Sequence, residues 1–415
     1  MSRLYVLLPI LILSLLAACT DSSREEEQAA APESEDPAEA LMRQFIEAEP
    51  GDTITIAAGT YAMTRSLTLN TDNVTIKGAG MDETILSFKG QLAGAEGILV
   101  NASNLTIEDL AIEDTKGDAL KINEGKNIAI RRVRTEWTGG PKEENGSYGI
   151  YPVQTENTLI EDSVAIGASD AGLYVGQSRN IIVRGNRAEY NVAGIEIENS
   201  VGADVHDNVA VNNTGGILVF NMPDLPQEGH STRVFDNVIK ENNTANFAPK
   251  GTAVAGVPAG TGILINSNDK VEIFGNSLTD NRTAHVLISS FYSTSMQDRE
   301  QVPNFDPYPE TIYIYDNKFE GGGTRPDRDE LNELRVAMFG EDGSFPDIMW
   351  DGIVDAEKFE NGKLPAHLSI CLDNDDATII NVDAANGYQN PDTDATPYDC
   401  QHEKLPAVDL AFSTD

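Results

Sequence analysis

Two carboxyl groups held beside aromatic rings and a cation on a rigid surface can grip a sugar and pass protons to it. In this chain Asp170, Glu196 and Glu198 are candidates for that chemistry, with Lys121, Tyr151 and Tyr174 as candidate binding residues. Lys121, Tyr151, Tyr174 and Glu196 belong to, and Asp170 and Glu198 flank, a phrase that returns about every 22 residues: Ala119-Leu120-Lys121-Ile122, Gly149-Ile150-Tyr151-Pro152, Gly172-Leu173-Tyr174-Val175, Gly194-Ile195-Glu196-Ile197, Gly216-Ile217-Leu218-Val219 and Gly262-Ile263-Leu264-Ile265. A looser copy is His285-Val286-Leu287-Ile288. A fixed period with inserts that keep the frame is how a solenoid reads in sequence. Alternation places Ile195 and its equivalents inward, and Leu99, Lys121, Tyr151, Tyr174, Glu196, Leu218, Leu264 and Leu287 in one outward column. Stacked strands lie about 4.8 Å apart, so Lys121, Tyr151, Tyr174 and Glu196 should stand side by side, with Asp170 at the edge. Asp170 with Glu196 or Glu198 would serve as acid and base at the separations of about 5–5.5 or 6.5–9.5 Å that glycoside chemistry uses. The bland alternative is a solvated face of mixed charge; on either reading Glu196 should face water, so that Glu196→Gln leaves stability nearly unchanged.

A second phrase keeps step with the first: Asn104-Leu105-Thr106-Ile107, Asn127-Ile128-Ala129-Ile130, Asn157-Thr158-Leu159-Ile160 and Asn180-Ile181-Ile182-Val183. Each period thus holds at least two short alternating stretches. About 22 residues is too short for a strand–helix–strand unit, which needs roughly 30, and suits one coil of three short strands. The expected fold is all-β: a right-handed parallel β-helix solenoid with an N-terminal helical cap over 39–47 and an irregular, disulfide-linked C-terminal cap. Coils should occupy 39–325, and the cap 326–415 with one helix near 327–339. Inserts at 137–147, 221–231, 244–260 and 291–309 read as side loops. Asn186, Asn208, Asn237, Asn276 and Asn317, with Asn191, Asn213, Asn242 and Asn281 five residues after the first four, should stack and hydrogen-bond between coils.

The second strand's outward column reads Glu108, Arg131, Glu161, Arg184, His206, Phe235, Phe274 and Tyr315. Alternating signs favour pairing between neighbours, a structural role. Phe235, Phe274 and Tyr315 form an aromatic stripe that lies under the loops or offers a contact surface. The five histidines show no metal-ligand spacing, and neither a metal nor a cofactor is expected.

Net charge is −38, which repels nucleic acid and anionic headgroups and argues against a bulk polyanionic substrate. Lys116, Lys121, Lys126, Arg131, Arg132 and Arg134 form one basic exception. Residues 1–18 read as a signal segment, and Leu16-Ala17-Ala18-Cys19 resembles a bacterial lipoprotein cleavage box. That resemblance implies lipid attachment at Cys19, an acidic tether over 19–38 and contact with the membrane through the anchor only. Thr20 at the following position favours the outer membrane, facing the periplasm. In an exported chain the remaining pair, Cys371 and Cys400, is expected to form a disulfide.

Pro50-Gly51-Asp52-Thr53-Ile54, Ala58-Gly59-Thr60-Tyr61 and Val74-Thr75-Ile76-Lys77-Gly78 resemble the opening of pectin-lyase-like β-helices. That class includes polysaccharide lyases, epimerases and sugar hydrolases. Trp350-Asp351-Gly352-Ile353, Cys371 and Pro397-Tyr398-Asp399-Cys400 resemble the C-terminal region of exported β-helix lipoproteins of unknown function, often encoded beside a di-haem c-type cytochrome. The resemblance implies an envelope lipoprotein presenting its surface to a glycan or a protein partner such as a c-type cytochrome, or alternatively a carbohydrate-active lyase, epimerase or hydrolase. The paired-Asp and Gly-His-Gly motifs of polygalacturonases and the Asp-Pro-His-Asp motif of alginate epimerases are missing.

Overall fold

One side chain in each repeat decides the winding. Ile150, Leu173, Ile195, Ile217, Ile263 and Val286 occupy consecutive rungs in exact parallel register and are fully buried. Burying each contributes roughly 1.5–3 kcal/mol, and no single coil could bury them alone. The computed structural model describes residues 36–294, 296–410 and 412. The signal segment, Cys19 and most of the tether lie outside the described residues. Within the unit Pro37–Asp415, the chain winds as a right-handed parallel β-helix with one eleven-stranded and one nineteen-stranded parallel sheet. The larger sheet covers two faces, because Leu105–Glu113 and Lys126–Glu136 run unbroken round the corner between them.

Helix α1 (Pro37–Glu47) closes the first coil with Ala38, Leu41 and Phe45, and its Pro37 sits where a helix tolerates proline. Helix α2 spans Asp329–Phe339. The winding continues past 325. Ile348–Trp350 and Ile379–Asn381 extend the smaller sheet, and Ile370–Asp373 extends the larger one. Long connections between these strands hide the repeat from the sequence. Cys371 and Cys400 are disulfide-bonded. Beyond the bond the chain runs back along the solenoid. Lys404 lies over the Tyr315 ring at 4.4 Å, Leu405 N–H donates to Glu272 (2.9 Å) and Val408 N–H to Asp204 (3.0 Å).

Two asparagine ladders run inside the corners. Asn186, Asn208, Asn237, Asn276 and Asn317 each donate through Nδ2 to Oδ1 of the next, at 2.9–3.0 Å, and Asn317 reaches Asn374 at 3.3 Å. Asn191, Asn213, Asn242 and Asn281 do the same at 3.0–3.2 Å. After the first in each ladder, every Oδ1 also accepts the backbone N–H of the preceding ladder residue, as Asn208 does from Asn186; Asn186 and Asn191 accept from Ser163 and Ala168 instead. His285 meets the end of the second ladder, with Nδ1 3.3 Å from Asn281. It fits the glycine position of the phrase because the next coil offers Gly322, where an added Cβ would collide with the imidazole. A third ladder, nearer the surface, links Asn73, Asn104, Asn127, Asn157 and Asn180 at 2.7–3.1 Å, all with φ between 54° and 61°. Asparagine tolerates this left-handed turn better than most residues, which is why it opens each second phrase.

Asn208→Ala should therefore cost about 2–4 kcal/mol, since it leaves buried Asn186 donors and the Val183 carbonyl unpaired. The urea midpoint should fall by that equivalent. A wild-type midpoint would mean that the ladder carries no stability.

Candidate functional site: an acidic and aromatic cluster on the smaller sheet

The smaller sheet presents three outward columns. The first reads Lys121, Tyr151, Tyr174, Glu196, Leu218, Leu264 and Leu287 on consecutive strands, as expected. The second includes Val153, Gly176, Glu198, Phe220 and Asn266. A third precedes them, with Tyr148 next to Ala171, Ala193 and Gly215. Small side chains beyond Tyr148 leave room for large ones around it. Tyr148, Tyr151 and Tyr174 pack together with ring centroids 4.4–4.9 Å apart, and Lys121 Nζ lies 4.8 Å over Tyr151. Four rungs span about 14 Å, enough for roughly three sugar rings.

The expectation of a solvated face is corrected here. Glu196 is 1% exposed, Tyr174 4%, Asp170 6% and Glu198 8%. The insert 244–260 supplies the cover: Phe247, Val254 and Val257 pack in one apolar cluster with Tyr174, Ala193, Leu218 and Phe220. Asp224 and Arg299, from the inserts on either side, face Glu198 and pair with each other at 3.4 Å. Only the Lys121 and Tyr151 end of the strip is half-exposed.

Burial raises the proton affinity of all three carboxyl groups. Desolvation raises Glu196 well above the ordinary carboxyl range, and Asp170 and Glu198 push it further. Its Oε2 has no hydrogen-bond partner. Asp170 is raised by desolvation and then by Glu198 and Asp118, against a hydrogen bond from Tyr148. Glu198 is raised by desolvation, but two favourable contacts oppose the shift: Tyr174 OH, which donates to Oε1 at 2.5 Å, and Arg299. Asp118, at the open end beside Lys121 (3.9 Å), is pushed up to about 6, mainly by burial. No influence on Glu196 favours its anion, whereas the Tyr174 hydrogen bond and the Arg299 charge favour the anion of Glu198. Environments that separate two carboxyls in this way set acid and base roles apart.

Asp170, Tyr174, Glu196 and Glu198 are brought together with Tyr151 and Lys121, whereas Phe235, Phe274 and Tyr315 are on the other sheet. Tyr148 and Asp118 are additional members. Asp118 aligns with Tyr148 in the third column (Leu120 pairs with Ile150), and reading the residues that precede each glycine phrase would have found both.

Elsewhere, His206, Phe235, Phe274 and Tyr315 stack at 4.6–4.8 Å with nearly parallel rings. Lys404 and the returning chain cover the Tyr315 end, and Tyr315 is buried. Arg131 and Arg184 both bind Glu161, at 2.7 and 2.6 Å. Five of the six residues of the basic exception are similarly neutralised: Lys121 by Asp118, Lys126 by Glu156, Arg131 by Glu161, Arg132 by Glu108 and Asp109, and Arg134 by Glu113 and Glu136. Asp269, Asp306 and Glu310 bring carboxylate oxygens within 4.8 Å of one another. Lys358 already supplies their cation, 2.6 Å from Asp306 and 2.9 Å from Glu310.

A family model described as "Right handed beta helix region" matches residues 63–225. No curated protein matches the chain. Solved structures that resemble it include the A-modules of the mannuronan C-5 epimerases AlgE4 and AlgE6 of Azotobacter vinelandii. AlgE4 is 18% identical, covers 82% of this chain and 90% of its own, and gives a TM-score of 0.47. AlgE6 is 17% identical, with 81% and 88% covered and a TM-score of 0.48. The polygalacturonase of Erwinia carotovora ssp. carotovora is 11% identical, with 70% and 91% covered and a TM-score of 0.46. At these values the likeness is one of winding.

Proposed function

We propose that the protein is a carbohydrate-active enzyme that binds a glycan along Lys121, Tyr151 and Tyr174 and acts on it by general acid–base chemistry. The observation that carries this reading is the set of three desolvated carboxyls, Asp170, Glu196 and Glu198, gathered on adjacent coils beside aromatic rings. Glu196 serves as proton donor, since every influence on it favours the protonated form. Glu198, steadied by Tyr174 and Arg299, serves as base. Asp170 is a positioning residue that holds Tyr148 and raises the proton affinity of Glu196. Hydrolysis, elimination and epimerisation each need one group that gives a proton and one that takes it. The net charge of −38 and the single lysine at the open end favour a neutral or sparsely charged glycan.

The other reading is a non-enzymatic surface for a glycan or a c-type cytochrome, which would use the aromatic stripe of Phe235, Phe274 and Tyr315. It ranks lower because the returning chain covers part of that stripe, and because protons held in a buried cluster serve no purpose in a passive surface. The same proposal places the protein at the cell envelope, anchored through a lipid on Cys19 in the outer membrane and facing the periplasm. Its support is the Leu16–Cys19 box and a disulfide suited to an oxidising compartment.

The test is a panel of neutral and charged glycans incubated with the purified protein. New reducing ends, unsaturated ends absorbing in the ultraviolet, and deuterium uptake from heavy water distinguish the three reactions. Turnover of one glycan class, with a pH profile that falls on both sides of an optimum, is expected. Saturable glycan binding without turnover at any pH would leave the surface reading in its place.

A further inference from the structure

A cavity lies two strands further along the same face, separated from the carboxyl cluster by Phe220. It has a cavity volume of about 80 Å³ behind an open mouth. Its floor is the apolar half of the first column, Leu264, Leu287 and Met349. Met296, Leu331 and Val382 are in the walls. Nothing in the acid–base chemistry above uses this space.

Its polar groups are few and unequal. Asp351 is saturated, accepting from Ser290 N–H (2.6 Å), Ser293 Oγ (2.7 Å) and Ile353 N–H (3.0 Å). Asn266, 1% exposed, also lines the cavity, and its Oδ1 has no partner. Arg328 is different. Its guanidinium donates through Nη2 to Gly256 O at 2.9 Å, and among the described residues it has no ion-pair partner, in a chain of net charge −38. Arg328 also immediately precedes α2, whose first turn carries Asp329 and Glu330. Val257 approaches Gly215 at the start of Gly215–Phe220, the strand next to the floor. Asp351 follows the end of Ile348–Trp350, so the free cation and the saturated carboxyl flank the apolar floor from opposite sides.

We propose that this cavity binds a small apolar carboxylic acid, with its chain or ring on Leu264, Leu287 and Met349 and its carboxylate on Arg328. An unpaired guanidinium beside a closed apolar surface matches that chemistry: the charge fixes the head and the floor takes the body. The site is independent of the acid–base reading, and its occupancy is measured without turnover.

The experiment is calorimetric titration of the purified protein with decanoate, decanol and decyltrimethylammonium, each kept below micelle-forming concentration. Decanoate should bind saturably and most tightly, and the cation least. Arg328→Gln should weaken decanoate about tenfold or more, the loss of one charge-assisted contact, and change decanol less than about twofold. Leu287→Trp should fill the floor and abolish binding of both, with the far-UV spectrum checked for folding. Should that variant not fold, Leu264→Phe takes its place. Absence of saturable decanoate binding, or equal binding by Arg328→Gln, would overturn the proposal.

Discussion

Ile195→Asp should not fold into a stable solenoid. Ile195 is fully buried, with Leu173 on one neighbouring rung and Ile217 on the other. The substituted carboxylate would lie in the apolar interior with no cation in reach of that column. An unpaired buried charge costs at least about 3 kcal/mol, on top of the lost burial of the isoleucine. In a stacked repeat the damage falls on two interfaces at once, because each coil is stabilised by both neighbours. Ile195→Val is the matched control and should cost only about 0.5–1.5 kcal/mol. Far-UV circular dichroism and urea titration of the three proteins check this. A soluble Ile195→Asp protein with a wild-type midpoint would mean that the side chain does not face inward.

Glu196→Gln should be more stable than the wild type at pH 8, while turnover falls by about 10²–10⁴-fold, the usual contribution of a positioned acid. The sign of the stability change follows from the raised affinity of Glu196 for its proton. In the unfolded chain a glutamate ionises near pH 4.3, whereas in the fold it keeps its proton to a higher pH. Between those two points the native state holds more protons than the unfolded one, so stability falls as pH rises through the window and levels off above it. Glutamine has no proton to lose. The variant's advantage should therefore be near zero at pH 4 and grow to about 1–3 kcal/mol at pH 8, because the amide can donate to the neighbouring carboxylates. Thermal midpoints of both proteins at pH 4, 6 and 8 measure it. A variant that is less stable at pH 8, or an offset independent of pH, would contradict the buried, proton-holding state of Glu196.

The reading of Glu196 shows where sequence and structure part. Its place in the outward column, beside Tyr174 and Leu218, follows from period and alternation alone. Its burial does not, because the cover comes from Phe247, Val254 and Val257 in an insert without a repeat. Outward on a strand therefore meant away from the core, and not toward water. The asparagine ladders were legible because a constant offset from each strand is itself a geometric statement. Tyr148 was passed over because the residues before each glycine vary, and only the registered strands reveal that they form a third column. The strands at Ile348–Trp350, Ile370–Asp373 and Ile379–Asn381 were hidden by connections that contain a helix or irregular loops. The path of Lys404 to Val408 along the solenoid is set by single contacts to Tyr315, Glu272 and Asp204, which have no periodic signature.

The buried ladders also have a direction. In every step the earlier asparagine gives its amide and backbone protons and the later one receives them. During synthesis, then, the newest coil always holds donors that only residues still to be translated can satisfy. Asn186 waits for Asn208, Asn208 for Asn237, and the series closes when Asn374 arrives more than fifty residues after Asn317. The growing end is left incomplete until the segment that bears Cys371 and Asn374 emerges, so a chain stopped early ends in a coil whose asparagine donors have no protein partner.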